Sequence, residues 1–408
     1  MSSITLFHGT FCNEDDVVRR LLKKTDYTLV TDKILIGEAS GLSELSEDKV
    51  ERALSAKASV FNRFTHEWER SIASLKLALA ERLQKDNLLI LGFTGLLIPM
   101  QISHVLRVCL IAGMKFRKLS AKQQGGLSEK ESTALIHQED TDRAKWIDTM
   151  FGKANPWDTS LYDIVIPVDK KSEEEVVELI VTNLNSKSLN PTEASRKAVD
   201  DFLLAGKVEV VLAREGHSVE VNAKNGNVTL TINKHVLMLN RLEDELQSIV
   251  RKVEGVRSVE TTVGKNYYKT DIYRKYDFDM PSKVLLVDDE HQFVETLSER
   301  LIIRDIGSAV AYDGQSALDL IAEDEPEVMI LDLKMPGIDG IEVLRRVKAT
   351  RPDIEVIILT GHGSEADKEV CMKLGAFAYL NKPVNIEFLS DALRRANEAI
   401  KQKTAKKK

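Results

Sequence analysis

KVLLVDDE at residues 283–290 is the stretch on which the fold turns. A continuous apolar run that stops at three consecutive acids suits a parallel strand covered by helices on both faces. Four similar runs follow at short intervals: SAVAY (308–312), VMILD (328–332), EVIILT (355–360) and FAYL (377–380), with helical stretches between them. That alternation predicts a doubly wound α/β sheet over 281–401, and in such sheets the functional edge lies at the carboxyl ends of the strands. Asp288, Asp289 and Glu290 follow the first strand, Asp332 closes the third, Thr360 closes the fourth and Lys382 follows the fifth. Carboxylates gathered at one edge repel unless a cation sits among them, and oxygen ligands with open water positions suit Mg²⁺. In this reading Asp289 and Asp332 ligate the ion, and Asp288 holds ion-bound water. The charge of an incoming phosphoryl group is then offset, so a carboxylate oxygen of Asp332 can attack phosphorus. Lys382 and the Thr360 hydroxyl are placed to take phosphate oxygens. A helix cap alone explains an Asp-Asp pair, and a turn alone explains Lys-Pro. Their conjunction at the ends of consecutive strands favours the phosphoryl-accepting reading.

The stretches VLLVDDE, ILDLKMPGIDG, ILTGHG and GAFAYLNKPV resemble the four hallmark segments of response-regulator receiver domains. The resemblance implies a (βα)5 flavodoxin-like fold, with Asp288 and Asp289 as the acidic pair and Asp332 as phosphoacceptor. It implies Thr360 as switch hydroxyl, Tyr379 as switch aromatic, Lys382 as the phosphate-pairing lysine, and the Lys334 backbone carbonyl as a further metal ligand. Lys334 and His362 occupy positions that tune phosphoryl lifetime in the family. A sensor histidine kinase or phosphotransfer protein is the implied donor, and homodimerisation is compatible with the reading.

At 408 residues the chain is too long for one ordinary core, so several domains are expected. With 43% hydrophobic and 30% charged residues it reads as soluble and globular, and its net charge of -7 disfavours DNA, RNA or anionic lipid. Cys12, Cys109 and Cys371 are too far apart to suggest a disulfide framework or a zinc site, which fits a cytoplasmic setting. The start, MSSITLFHGTFCNEDD, does not read as a signal peptide. Leu88 to Met100 is the most apolar segment, and it is too short to span a bilayer.

Residues 1–188 alternate apolar strands (Ile4–Phe7, Leu88–Leu91, Val105–Ile111, Ile164–Val168) with charged helical stretches, one of them running from about Glu47 to Gln84. A second parallel α/β domain is predicted. After its first strand comes FHGTFCNEDDVV (7–18), where a phosphate loop would stand, yet Gly9 is its sole glycine and it holds no lysine. Glu14, Asp15 and Asp16 suit the start of a helix and would repel a nucleotide phosphate there. The simpler reading is a cap from Asn13 or Glu14. ITLFHG, LLILGFTG, HVLRVCLIAGMKFR and EDTDRAKWIDTMFGKANPWDTSLYDIVIPVD nonetheless resemble the cytidylate-kinase-like proteins of the nucleoside monophosphate kinase superfamily, which implies a P-loop-kinase-like domain. Asp140 and Arg143 match the D-x-x-R element of the lid. The departures are Phe11-Cys12-Asn13-Glu14 in place of Gly-Ser-Gly-Gly, and Gly92-Phe93-Thr94-Gly95 in place of a Gly-Arg-Gly stretch. Arg107, Arg117 and Arg143 remain as a vestigial anion site. Loss of the loop amides and gain of acid removes the main electrostatic support for phosphoryl transfer, so a pseudokinase is expected. The alternative is a phosphorylation-gated (d)CMP-type kinase using ATP and Mg²⁺.

SKSLNPTEA, about residues 186–194, reads as a linker or helix start. Beyond it, VEVVLAREGHSVEVNAKNGNVTLTINKHV predicts strands with turns at Gly216 and Asn225-Gly226, then a helix at about Met238–Val253 and a last strand in VRSVETTVG. This α+β module, 192–268, resembles BON-type modules, which implies protein, lipid or membrane binding; an interaction module for an unidentified output protein is expected. His217 and His235 read as turn or surface residues. A connector at 269–280 leads to the receiver-like segment, and 402–408 reads as a solvated basic tail, with a nucleic-acid anchor as the lesser alternative.

Overall fold

The computed structural model describes residues 2–55, 66–234, 236, 239–264, 267, 280, 281, 283–302, 304, 306–361 and 363–407. Two compact units separate, one from Met1–Ala58 with Glu67–Tyr273, the other containing Arg274–Lys408. Both are built on parallel α/β sheets.

The first unit runs through β1 (Ser3–His8), α1 (Glu14–Thr25), β2 (Thr28–Thr31), α2 (Asp32–Ser43), α3 (Glu47–Arg52) and α4 (Glu67–Arg82). It continues with β3 (Leu88–Leu91), β4 (Val105–Ile111), α5 (Met114–Gly125), α6 (Glu129–Phe151), β5 (Ile164–Pro167) and α7 (Glu173–Leu184). Its five strands are all parallel, in the order β2-β3-β1-β4-β5. The central β1 is buried on both faces, with the polar Ser3 and Thr5 enclosed among its apolar residues. Ile4 and Leu6 pack with Val17, Leu21, Val176 and Ile180, while Phe7 faces Leu75 and Leu79 of α4. The edge strand β2 was not expected. Its four residues, TLVT, carry one fully buried side chain, Val30, so the sequence signal is faint. The single helix expected over Glu47–Gln84 is instead interrupted after Arg52, and its middle, 56–65, lies outside the described residues.

The same unit ends with α8 (Glu193–Arg214), β6 (Glu220–Lys224), β7 (Asn227–Ile232), α9 (Leu239–Val250) and β8 (Ser258–Val263). β6 and β7 form the antiparallel hairpin expected at Asn225-Gly226, and β8 joins β7 in parallel. One expectation is corrected here: VEVVLAR is helical, not a strand. Thr192 caps α8 by accepting from the Ser195 amide. Val208 and Leu212 then face the hairpin core, while Val210 packs with Ala73 and Leu77 of α4. A helix buried on two sides shows apolar residues at nearly every position, and this hides its 3.6-residue period. Gly206 permits the contact, since a Cβ there would lie 3.1 Å from the Leu77 Cα.

In the second unit the strands are β9 (Val284–Val287), β10 (Ser308–Ala311), β11 (Val328–Leu331), β12 (Glu355–Thr360) and β13 (Ala378–Asn381). They form one parallel sheet in the order β10-β9-β11-β12-β13. The helices are α10 (His291–Ile302), α11 (Gly314–Glu323), α12 (Gly340–Thr350), α13 (Glu365–Lys373) and α14 (Ile386–Lys407). Apolar cores fill both faces of the sheet, one holding Leu285, Val287 and Leu331, the other Val284, Leu286 and Ile330. The order reverses between β10 and β11, which opens a crevice at the carboxyl end of β9. The tail expected at 402–408 is corrected, because α14 continues through Lys407. Lysines suit the last turn of a helix, and the Lys403 ammonium pairs with the buried Glu355 carboxylate. Apart from Met280, the connector expected at 269–280 lies outside the described residues. No helix among the described residues is long and apolar enough to cross a membrane.

Candidate functional site

The crevice of the second unit gathers the residues expected there. Ladder bonds fix the backbone: the Asp288 amide donates to Ala311 O, and the Asp332 amide donates to Val287 O. Carboxylate oxygens of Asp288, Asp289 and Asp332 then lie within 4.8 Å of one another. Asp288 and Asp332 are buried, and Asp289 is more open. The Lys382 ammonium stands 2.6 Å from Asp288 Oδ2 and 3.9 Å from Asp332 Oδ2. Burial pushes the Asp288 carboxyl above its ordinary value, against the pull of Lys382 and of the Glu290 amide that donates to its Oδ1. Burial alone would lower the Lys382 ammonium, but its bonds to Asp288 and Glu290 outweigh that and raise it.

The donor set fits a divalent cation. Asp332 Oδ1 is buried and accepts no hydrogen bond, a costly state for a carboxylate unless a cation or an electrophile completes it. Oxygen-only ligands at this spacing suit a hard ion such as Mg²⁺.

Thr360 is buried at the end of β12, and its carbonyl accepts from the Lys382 amide, so the fourth and fifth strand ends are tied together. The Tyr379 hydroxyl is buried without a hydrogen-bond partner beside Gly363, where an added Cβ would lie only 1.6 Å from it. Burial raises the Tyr379 phenol above its usual range. Lys334 extends outward from the loop between β11 and α12. That loop is closed by the Gly340 amide donating to Leu333 O, and a Cβ at Gly340 would meet Asp332 O at 2.1 Å. His362 lies outside the described residues.

In the first unit, the loop after β1 turns through left-handed backbone at two non-glycine residues. Phe11 and Asn13 have φ of 61° and 55°, the left-handed region that glycine favours. Asn13 Oδ1 accepts from Ser120 and Gln124 of α5, and Cys12 is buried in the core. Glu14 lies 3.4 Å from His8 Nδ1 and leaves Oε2 buried without a partner.

The three arginines expected to hold an anion are not brought together. Arg117 and Arg143 both reach Thr10, through its carbonyl and its hydroxyl at 2.8 Å each. Arg107 sits in register with Thr5, earlier along the sheet, and its guanidinium donates to the carbonyls of Pro99, Ile102 and Val105. Both converging arginines meet a carboxylate, although the Arg143 Nε stays buried without a hydrogen-bond partner. Asp140 takes Arg117 in a bidentate pair at 2.6 and 2.8 Å, and Glu139 lies 3.2 Å from Arg143. A further internal carboxylate, Asp32, accepts from the Phe93 and Thr94 amides and from the Thr94 hydroxyl. Those amides belong to the stretch that stands in place of Gly-Arg-Gly. Burial raises the Asp32 carboxyl despite these bonds.

Residues 284–394 match the family model described as the response regulator receiver domain. This segment is a response regulator receiver domain. The receiver is 37% identical over 115 residues to the response regulator MprA of Mycolicibacterium vanbaalenii, a match covering 28% of this chain and 50% of the relative. It is 36% identical over 115 residues to MprA of Mycobacterium tuberculosis, with the same coverage. The chain spans about half the length of these curated relatives. Among solved structures, a receiver domain protein from Clostridium thermocellum is 36% identical, covers 29% of this chain and 97% of its own, and has a TM-score of 0.29. Residues 3–170 match the family model of the cytidylate kinase-like family.

Two contacts of the Lys382 ammonium were not read from the sequence. Glu290 lies 2.9 Å from Lys382, and the Phe293 ring lies 4.4 Å from the same ammonium. Glu290 follows the acidic pair directly, which was a usable signal, whereas nothing marked Phe293. His217, expected in a turn or at the surface, is a correction as well. It follows a turn but is buried, with Nε2 3.6 Å from Glu245. His235 lies outside the described residues.

Proposed function

We propose that this chain is an atypical two-component response regulator that accepts a phosphoryl group on Asp332 and signals through protein–protein contacts of its other unit. The observation that carries the reading is Asp332 Oδ1, a buried carboxylate oxygen with no hydrogen bond, beside Asp288, Asp289 and Lys382. A carboxylate oxygen of Asp332 forms a bond to phosphorus as the bond to the donor's leaving atom breaks, and that atom departs with the electron pair. Lys382 takes up charge on the phosphate oxygens, and the Thr360 hydroxyl donates to another oxygen. Asp288 and Asp289, with Asp332 and the Lys334 carbonyl, would hold Mg²⁺, which supplies charge neutralisation for the anionic donor. Tyr379, with its hydroxyl free, is the aromatic that would follow Thr360 when the site fills. The donor is a sensor histidine kinase or phosphotransfer protein, the setting is cytoplasmic, and no DNA partner is involved.

For the output we infer a pseudokinase and an interaction module of BON-like character. Support comes from the first unit, where internal carboxylates take the groups a nucleotide would use: Asp140 on Arg117, Glu139 on Arg143, and Asp32 on the Phe93 and Thr94 amides. The second reading, a phosphorylation-gated (d)CMP-type kinase, is favoured by the family match over 3–170 and by the left-handed, glycine-like φ values at Phe11 and Asn13. Incubation with acetyl phosphate and Mg²⁺ tests the receiver: the intact protein should be labelled and Asp332→Asn should not. Labelling that persists in Asp332→Asn means that the acceptor is elsewhere. Stabilisation by ATP with turnover of (d)CMP would replace the pseudokinase reading with the kinase one.

A further inference from the structure

We propose that Glu290 is a positioning residue that holds Lys382 back on Asp288 and thereby slows phosphorylation of Asp332. The inference rests on Asp332 being the acceptor. Lys382 Nζ is 2.6 Å from Asp288 and 2.9 Å from Glu290, yet 3.9 Å from Asp332. An ammonium has three hydrogens to donate, so these two carboxylates occupy most of its capacity. The Phe293 ring, 4.4 Å from the same nitrogen, holds it further toward α10.

The grip has a fixed origin. Glu290 precedes the first turn of α10, and its carbonyl accepts from the Phe293 and Val294 amides while its own amide donates to Asp288 Oδ1. The backbone at 290 is therefore tied to both the helix and the acidic pair, which leaves the carboxylate within reach of Lys382. The Glu290 side chain is 65% exposed, so the pair is exchangeable rather than locked.

A phosphoryl group arriving at Asp332 needs a donor from Lys382, and the lysine must let go of Glu290 to supply it. The phosphoryl group carries more charge than a carboxylate, so the exchange is favourable. Glu290 opposes it by competing for the ammonium. It acts on the rate through Lys382, without itself touching the reacting atoms.

The test is the initial rate of labelling of the full chain by acetyl phosphate with Mg²⁺. Glu290→Gln keeps the shape and removes the charge, and the rate at subsaturating donor should rise about 2- to 5-fold, the range of an exposed ion pair. The change should appear mainly as a lower half-saturating donor concentration, which a merely structural role would not produce. Glu290→Ala, a second variant, should move in the same direction. In a Lys382→Met background the Glu290→Gln gain should vanish, because the residue acts through the lysine. Wild type labelled on Asp332 with an unchanged or slower Glu290→Gln overturns this inference alone, as does an equal gain in the Lys382→Met background. Labelling that is absent from wild type, or that survives Asp332→Asn, overturns the acceptor reading and this inference with it.

Discussion

Lys382→Met keeps the reach of the side chain and removes one charge from the middle of the receiver site. What it leaves behind sets the size of the effect. Asp288 and Asp332 have side chains only 5% and 7% exposed, and carboxylate oxygens of these two and Asp289 lie within 4.8 Å. At an effective dielectric of about 20, two unit charges about 4.8 Å apart repel by about 3.5 kcal/mol. Removing one partner of a buried pair typically costs about 3–5 kcal/mol. The contact to Glu290 adds nothing to that figure, since that carboxylate is mostly in water. For a domain of this size such a loss lowers the melting temperature by roughly 10–20 °C.

Two dependences identify the cause. Burial already raises the Asp288 carboxyl, and losing Lys382 removes one of the groups holding it down. A carboxyl raised in the native state binds its proton more tightly there than when unfolded. The variant should therefore gain stability as pH falls from its raised folded value toward the ordinary carboxylate range, and lose it as pH rises through that folded value. Mg²⁺ should restore more stability to the variant than to wild type, because it supplies the missing positive charge. Scanning calorimetry of the full chain, following the transition that responds to Mg²⁺, reads both. A variant that melts within about 2 °C of wild type and gains no more from Mg²⁺ would falsify the shared-field account.

Other consequences are as direct. Asp32→Ala strands the Phe93 and Thr94 amides and the Thr94 hydroxyl, which should lower the first unit's stability by about 2–4 kcal/mol in denaturant titration; a loss below about 0.5 kcal/mol would mean water serves those donors equally well. Gly363→Ala places a methyl where the Tyr379 hydroxyl lies, so Tyr379 should become more reactive to nitration than in wild type, and equal reactivity would contradict the packing. Burial pushes the Cys12 and Cys109 thiols up to about 12, so alkylation at neutral pH should be slow in the native state and should accelerate with unfolding. Fast native-state labelling of either would contradict that burial.

The receiver was almost wholly legible because its code is local. Each strand is a short apolar run, and each functional group stands within two residues of a strand end, so order along the chain becomes position along one edge. Asp288, Asp289, Asp332, Thr360 and Lys382 needed no long-range knowledge beyond that. The contacts of Glu290 and Phe293 with Lys382 were missed because they depend on side-chain direction at the start of α10, and on a separation of some ninety residues. Helix α8 failed for a different reason: Val208, Val210 and Leu212 are buried by different neighbours on opposite sides, so the pattern mimicked a strand. The anion site failed on register. Arg107 pairs with Thr5, whereas the loop begins after His8, which pairs with Leu110, so about 10 Å of strand separates them.

The altered loop in the first unit invites the idea that a few substitutions would restore a nucleotide site. The surrounding contacts argue otherwise. Phe11 and Asn13 hold a left-handed conformation that costs non-glycine residues about 1 kcal/mol each, and the neighbouring structure must supply that energy. Asn13 does so by binding Ser120 and Gln124, and Cys12 by core packing, so the loop now anchors α5. Combining Phe11→Gly, Cys12→Ser, Asn13→Gly and Glu14→Gly would return the family's loop and remove the acid at its end. It would leave Asp140 on Arg117, Glu139 on Arg143 and Asp32 on the Phe93 and Thr94 amides. The expected result is no thermal stabilisation of this variant by Mg²⁺-ATP. Stabilisation would mean that Glu14 and the lost glycines were the whole lesion, and that the paired arginines yield to phosphate once the loop opens.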